Sequence, residues 1–130
     1  MGAWTAVADH ERMGTRVLIV DDNARFRGRA RRCLEADGYT VVAEAADGTS
    51  ALSAAARHRP EVVLLDIQLP DLSGLEVAER LTCALDPPAV VLTSTHDPAD
   101  FGERLALCGA RGFVPKEELS GERLTAALAD

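Results

Sequence analysis

Two adjacent carboxylates, Asp21 and Asp22, follow the apolar run Val17–Val20, and a third, Asp66, closes the run Val62–Leu65. The hydroxyls of Thr93 and Ser94 end another run, and Lys116 follows Phe113–Pro115. If these runs are neighbouring strands of a parallel sheet, the residues at their carboxyl ends converge on one pocket. Three carboxylates there would repel: at ~4 Å and an effective dielectric of about 20, each pair costs on the order of 4 kcal/mol. A hard divalent cation removes that conflict, and all-oxygen ligation selects Mg²⁺, with Mn²⁺ as the alternative. A carboxylate nucleophile, a metal, a hydroxyl and an ammonium together suit phosphoryl transfer onto Asp66.

The elements that must position these groups are readable from the hydrophobic pattern. Strands are expected at 16–20, 40–45, 61–66, 89–94 and 112–115, mostly as unbroken apolar runs of the kind buried on both faces of a sheet. Between them lie helical stretches. Phe26, Ala30, Cys33 and Leu34 form one stripe, with Gly38 after Asp37 as its stop. The next helices are expected at 49–57, 74–85, 98–108 and 121–129, the third closed by Pro87-Pro88 and the fourth opened by Asp97-Pro98. Five βα units with short connections predict an α/β fold: a doubly wound five-stranded parallel sheet, order 2-1-3-4-5, with five helices. Residues 1–14 read as a flexible leader and 15–130 as one domain.

Composition narrows the function. The chain has 130 residues, is 47% hydrophobic and carries a net charge of −7, which argues against nucleic-acid binding by this chain itself. Three cysteines without CxxC spacing suggest neither a disulfide framework nor a zinc site, and fit a reducing cytoplasmic setting. No apolar run is long enough for a membrane span, and the first twelve residues do not resemble a secretory signal.

The motifs LIVDD (18–22), VVLLDIQLPDLSGLE (62–76), VVLTS (90–94) and GARGFVPK (109–116) stand in order, each at a strand end. Together they resemble the receiver domain of two-component response regulators, with its flavodoxin-like fold, over residues 16–129. The resemblance implies that Asp66 accepts a phosphoryl group from a sensor histidine kinase or phosphotransfer protein. It implies that Asp22 binds Mg²⁺ directly, that Asp21 assists through water, and that the Gln68 backbone carbonyl completes the protein ligands. Thr93 corresponds to the switch hydroxyl, Lys116 to the phosphate-pairing lysine, and Phe113 to the aromatic switch position. Gln68 and Thr95 occupy positions that tune the lifetime of the phosphate. The responding surface is the fourth helix, fifth strand and fifth helix, where phosphorylation can favour a homodimer.

Two positions depart from the family pattern. Phe113 stands where tyrosine is common, so no phenolic hydroxyl is available. Glu117 replaces the usual proline after Lys116, and a cis bond before a non-proline residue costs roughly 2.5–4 kcal/mol.

Plainer readings stand beside these. Asp21 and Asp22 could cap the first helix, Thr93 and Ser94 could be ordinary strand-end hydroxyls, and Phe113 could be a fixed core aromatic. Gly74 reads as a backbone requirement after LPDLS. Arg25, Arg29 and Arg32 share a helical face that is either solvated surface or, for Arg25 and Arg29, a docking face for the phosphodonor protein. The chain is expected to be a signalling module and not an enzyme acting on others. The alternatives are a phosphorylation-independent interaction module, or an aspartyl-phosphate hydrolase, against which Gln68 stands where haloacid-dehalogenase-type enzymes carry a second aspartate. Texture such as GARGFVPKEELSGERLTAAL is similar to receivers of helix-turn-helix transcription regulators, although no such output domain follows in this sequence.

Overall fold

A computed structural model describes residues 13–129. The expected leader, residues 1–14, therefore lies almost wholly outside the described residues. The chain runs β1 (Arg16–Val20), α1 (Ala24–Ala36), β2 (Thr40–Ala45), α2 (Gly48–His58), β3 (Val62–Asp66), α3 (Gly74–Thr82), β4 (Ala89–Ser94), α4 (Arg104–Leu107), β5 (Gly112–Pro115) and α5 (Gly121–Ala129). The five strands form one parallel sheet in the order β2-β1-β3-β4-β5, as the alternating pattern predicts.

Side chains on a strand point alternately to opposite faces. Here the alternation builds two cores. Val17, Ile19, Val62, Leu64, Val91 and Val114 pack with Phe26, Ala30 and Leu34 of α1 and with Leu124 and Leu128 of α5. On the other face, Leu18, Val20, Val63, Leu65, Val90 and Leu92 pack with Leu75, Val77, Ala78 and Leu81 of α3. Each fully buried Leu or Val contributes about 1.5–3 kcal/mol relative to exposure. This two-sided burial explains why the strands read as continuous apolar runs.

α2 extends one residue beyond 49–57 at each end, and three other stretches differ from expectation. β3 starts at Val62, since Glu61 instead faces Arg16, whose N–H donates to Glu61 Oε1 at 2.9 Å. α3 stops at Thr82 and not at 85; the Thr82 hydroxyl donates to the Ala78 carbonyl, and Asp86 turns the chain at φ +52°. The expected helix 98–108 is broken. A 3₁₀ turn at Pro98–Phe101 is followed by Gly102 at φ +61°, and only the short α4 resumes. Glycine favours such a break because it lacks a Cβ and has the most backbone freedom to lose in a helix. The apolar stripe itself is real: Phe101 and Leu105 lie half-buried against the second core, and Cys108 is buried within it.

Candidate functional site

The carboxyl ends of β1, β3, β4 and β5 meet at one end of the sheet. Asp21 follows β1 directly and is fully buried; Asp66 is the last residue of β3 and pairs in register with Thr93 of β4. Asp22 beside them is exposed. Oxygens of Asp21, Asp22 and Asp66 all lie within 4.8 Å of one another, as a divalent-cation site requires.

Lys116 reaches in from the end of β5. Its Nζ stands 2.6 Å from Asp21 Oδ2 and 3.3 Å from Asp66 Oδ2. The Asp21 contact is one of charge; it lacks the alignment of a good hydrogen bond. Burial disfavours the ammonium, but the contact with Asp21 and the charges of both aspartates outweigh it, so the Lys116 pKa is raised. At Asp66 burial dominates and raises the pKa. The Gln68 N–H, donating to Oδ1 at 3.1 Å, opposes that rise; the Asp21 charge adds to it and Lys116 works against it.

Asp21 and Asp22 do not cap α1. Asn23 does, its Oδ1 accepting from the Phe26 N–H at 3.1 Å. The Asn23 N–H in turn donates to Asp21 Oδ1 at 2.9 Å, and Arg27 Nη1 donates to the Asp21 carbonyl at 2.6 Å. Both side-chain oxygens of Asp21 and of Asp66 thus have protein contacts, which leaves the exposed Asp22 carboxylate the least committed of the three. The Thr93 hydroxyl is fully buried and has no hydrogen-bond partner among the described residues. A buried hydroxyl left unmatched costs about 1–3 kcal/mol, so it is suited to a partner arriving at Asp66. The carboxylates, the ammonium and this uncommitted hydroxyl fit a hard divalent ion and a phosphoryl group.

Phe113 lies in β5 beside Leu92 and is half-buried against the second core. Gln68, two residues past Asp66 in the loop after β3, is exposed. Among the described residues every peptide bond is trans, including Lys116–Glu117. Gly74 has the backbone role its position suggested: a Cβ there would stand 2.2 Å from the Asp66 carbonyl oxygen.

The arginine run divides. Arg27 and Arg31 face β2 and pair with Glu44 at 3.0 and 2.8 Å; hydrogen bonding from Arg31 is the main reason the Glu44 pKa is lowered. Arg25 and Arg29 are exposed and line a cleft of about 520 Å³ with Asn23, Phe26, Thr95 and Lys116. Two features escaped sequence reasoning. Asp71 caps α2 across the loop after β3, and the Phe26 ring lies under the Lys116 ammonium. A carboxylate amid the turn-forming residues of LPDLS was the available signal for the first. Nothing in the sequence distinguishes Phe26 from an ordinary core aromatic.

The family model for the response regulator receiver domain matches residues 17–129. A Pseudomonas aeruginosa protein named as a candidate transcriptional regulator is 44% identical over 116 residues, covering 88% of this chain and 56% of its own length. The transcriptional regulatory protein KdpE of Mycobacterium tuberculosis is 40% identical over 102 residues, covering 78% of this chain and 44% of its own. A two-component response regulator of the LuxR family from Aurantimonas sp. superimposes with a TM-score of 0.80 at 30% identity, covering 89% of this chain and 86% of that one. The chain spans about half the length of the curated relatives it matches.

Proposed function

This chain belongs to the response regulator receiver family, and from that premise we propose that it is a phosphorylation-driven switch whose acceptor is Asp66. The observation that carries the reading is the convergence of three carboxylates within 4.8 Å, with the Lys116 ammonium at 3.3 Å from Asp66. Asp22, Asp66 and the Gln68 carbonyl would hold Mg²⁺, with Asp21 behind them; when bound, the ion neutralises phosphoryl oxygens and aligns the donor.

The chain's own residues do the rest. An Asp66 oxygen attacks the phosphorus of a phosphohistidine; the P–O bond forms as the P–N bond breaks, and the leaving imidazole nitrogen takes a proton. Lys116 supports the negative charge that gathers on the phosphoryl oxygens. The Thr93 hydroxyl supplies a hydrogen bond to one of them, and its inward movement relaxes the packing around Phe113, altering the surface of α4, β5 and α5. The family pairs such domains with histidine kinases, and the kinase or phosphotransfer donor would approach over Arg25 and Arg29. Regulation of transcription through a further domain, as in the named relatives, is part of the same proposal.

A radiolabelled small phosphodonor tests it. Label should appear on the wild type in Mg²⁺, be abolished by a chelator, and be absent from Asp66→Asn. Label retained by Asp66→Asn would move the acceptor elsewhere.

A further inference from the structure

Lys116 is held at both ends by one face of α1. At the backbone end, Arg29 Nη2 donates to the Lys116 carbonyl at 2.9 Å. At the side-chain end, the Lys116 ammonium lies 4.9 Å from the centroid of the Phe26 ring, within the range of a cation–π contact. Arg29 closes the arrangement, its Cζ standing 5.3 Å from the same ring. Phe26 is fixed in turn, 8% exposed in the core under α1 and capped through its N–H by Asn23. Lysine carries four rotatable stem bonds and loses much freedom when its ammonium is confined to one point. The two aspartates attract that ammonium but leave its stem unrestrained. The short turn beyond it, exposed at Glu117 and Glu118, is closed by the Leu119 N–H on the Lys116 carbonyl at 3.3 Å and does not touch the ammonium.

We infer that Phe26 is a positioning residue for the Lys116 ammonium, with Arg29 anchoring the backbone from which that side chain extends. The inference rests on Asp66 being the phosphoryl acceptor. The ring's negative face offers the ammonium a site beside Asp66 without competing with the aspartyl oxygens for its N–H donors, as an acidic or hydroxyl side chain there would. A leucine would keep the site apolar and fill part of the same core volume, but give the ammonium nothing.

The test uses acetyl phosphate and phosphoramidate at saturating Mg²⁺, with phosphorylated protein counted by mass spectrometry over time. Phe26→Leu should lower the limiting rate about three- to tenfold, between the values of an exposed and a desolvated cation–π contact. The half-saturating Mg²⁺ concentration, read separately by calorimetry, should not move. Phe26→Tyr, which keeps a ring, should recover the rate to within about twofold. In a Lys116→Met background Phe26→Leu should have no further effect, because it acts through the ammonium. Arg29→Gln alters an exposed side chain and should slow the same step without changing the unfolding midpoint, which covers the event that Phe26→Leu folds poorly.

Equal rates for the Phe, Leu and Tyr proteins overturn the inference, as does the same fold-loss from Phe26→Leu with and without Lys116. In both cases normal labelling at Asp66 leaves the acceptor reading standing. A wild-type chain that takes no label at Asp66 overturns both.

Discussion

From the loop beyond Asp66, the Asp71 carboxylate accepts the N–H of Gly48 at 2.7 Å and that of Thr49 at 3.0 Å, together with the Thr49 hydroxyl at 2.8 Å. It closes the first turn of α2 alongside Asp47, which takes the Ser50 N–H at 2.7 Å. These hydrogen bonds favour the charged form and hold the Asp71 pKa far below the ordinary carboxylate value. A folded-state pKa depressed in this way gives stability that is fully present above the unfolded value of about 3.9 and is lost as pH falls toward the folded one. Asp71→Ala should therefore lower the thermal unfolding midpoint at neutral pH, and the gap to wild type should narrow below about pH 4. A gap that stays constant through that range would show that the charge of Asp71 does not matter. Phe26 is the other residue whose role exceeds its sequence signal. Its place in the apolar stripe of α1 was legible, but the ammonium above its ring comes from a residue 90 positions along the chain (Phe26 to Lys116).

Among the elements, β1 and β4 lie where their apolar runs indicate, because burial on both faces removes polar positions that would blur a boundary. The edge strands β2 and β5, largely exposed or half-buried, also lie where expected. The convergence of Asp21, Asp22, Asp66 and Lys116 was legible for a related reason: strand ends in a doubly wound sheet fix where such residues meet. The stretch 98–108 was not, since spacing alone reports which side chains turn inward and not whether the backbone between them stays helical across Gly102. Asp71 was equally hidden, because its partners are residues of α2 more than twenty positions away. The junction of β3 and α3 is closely packed. The Gly74 N–H donates to the Ile67 carbonyl at 2.7 Å, and a Cβ on Gly74 would meet Asp66 and Ile67 backbone atoms at 2.2 and 2.6 Å. Backbone cannot give way as the tip of a side chain can, so Gly74→Ala should push the loop away from Asp66. We expect destabilisation of about 1–3 kcal/mol in urea unfolding, as for other overpacked sites, together with slower labelling of Asp66. Wild-type stability in that variant would mean the loop rearranges freely.

For the whole molecule, the division of the arginines matters most. Arg27 and Arg31 are committed to Glu44, and Arg29 to the Lys116 carbonyl, which leaves Arg25 as the clearest probe of an approaching donor protein. Exposed charges govern association more than stability. Arg25→Glu should slow phosphotransfer from a cognate kinase several-fold at low ionic strength, and by less as salt rises, while slowing acetyl phosphate labelling much less. An equal effect on both donors would remove Arg25 from the docking face. The two cores carry a final implication. Leu64 and Leu65 are bonded neighbours in β3, yet one belongs with α1 and α5 and the other with α3. The sheet is a partition between two separately packed compartments, and β3, with Asp66 at its tip, is part of the wall. A push on that tip is felt in both rooms at once, so the two faces can answer the same event through unconnected sets of side chains.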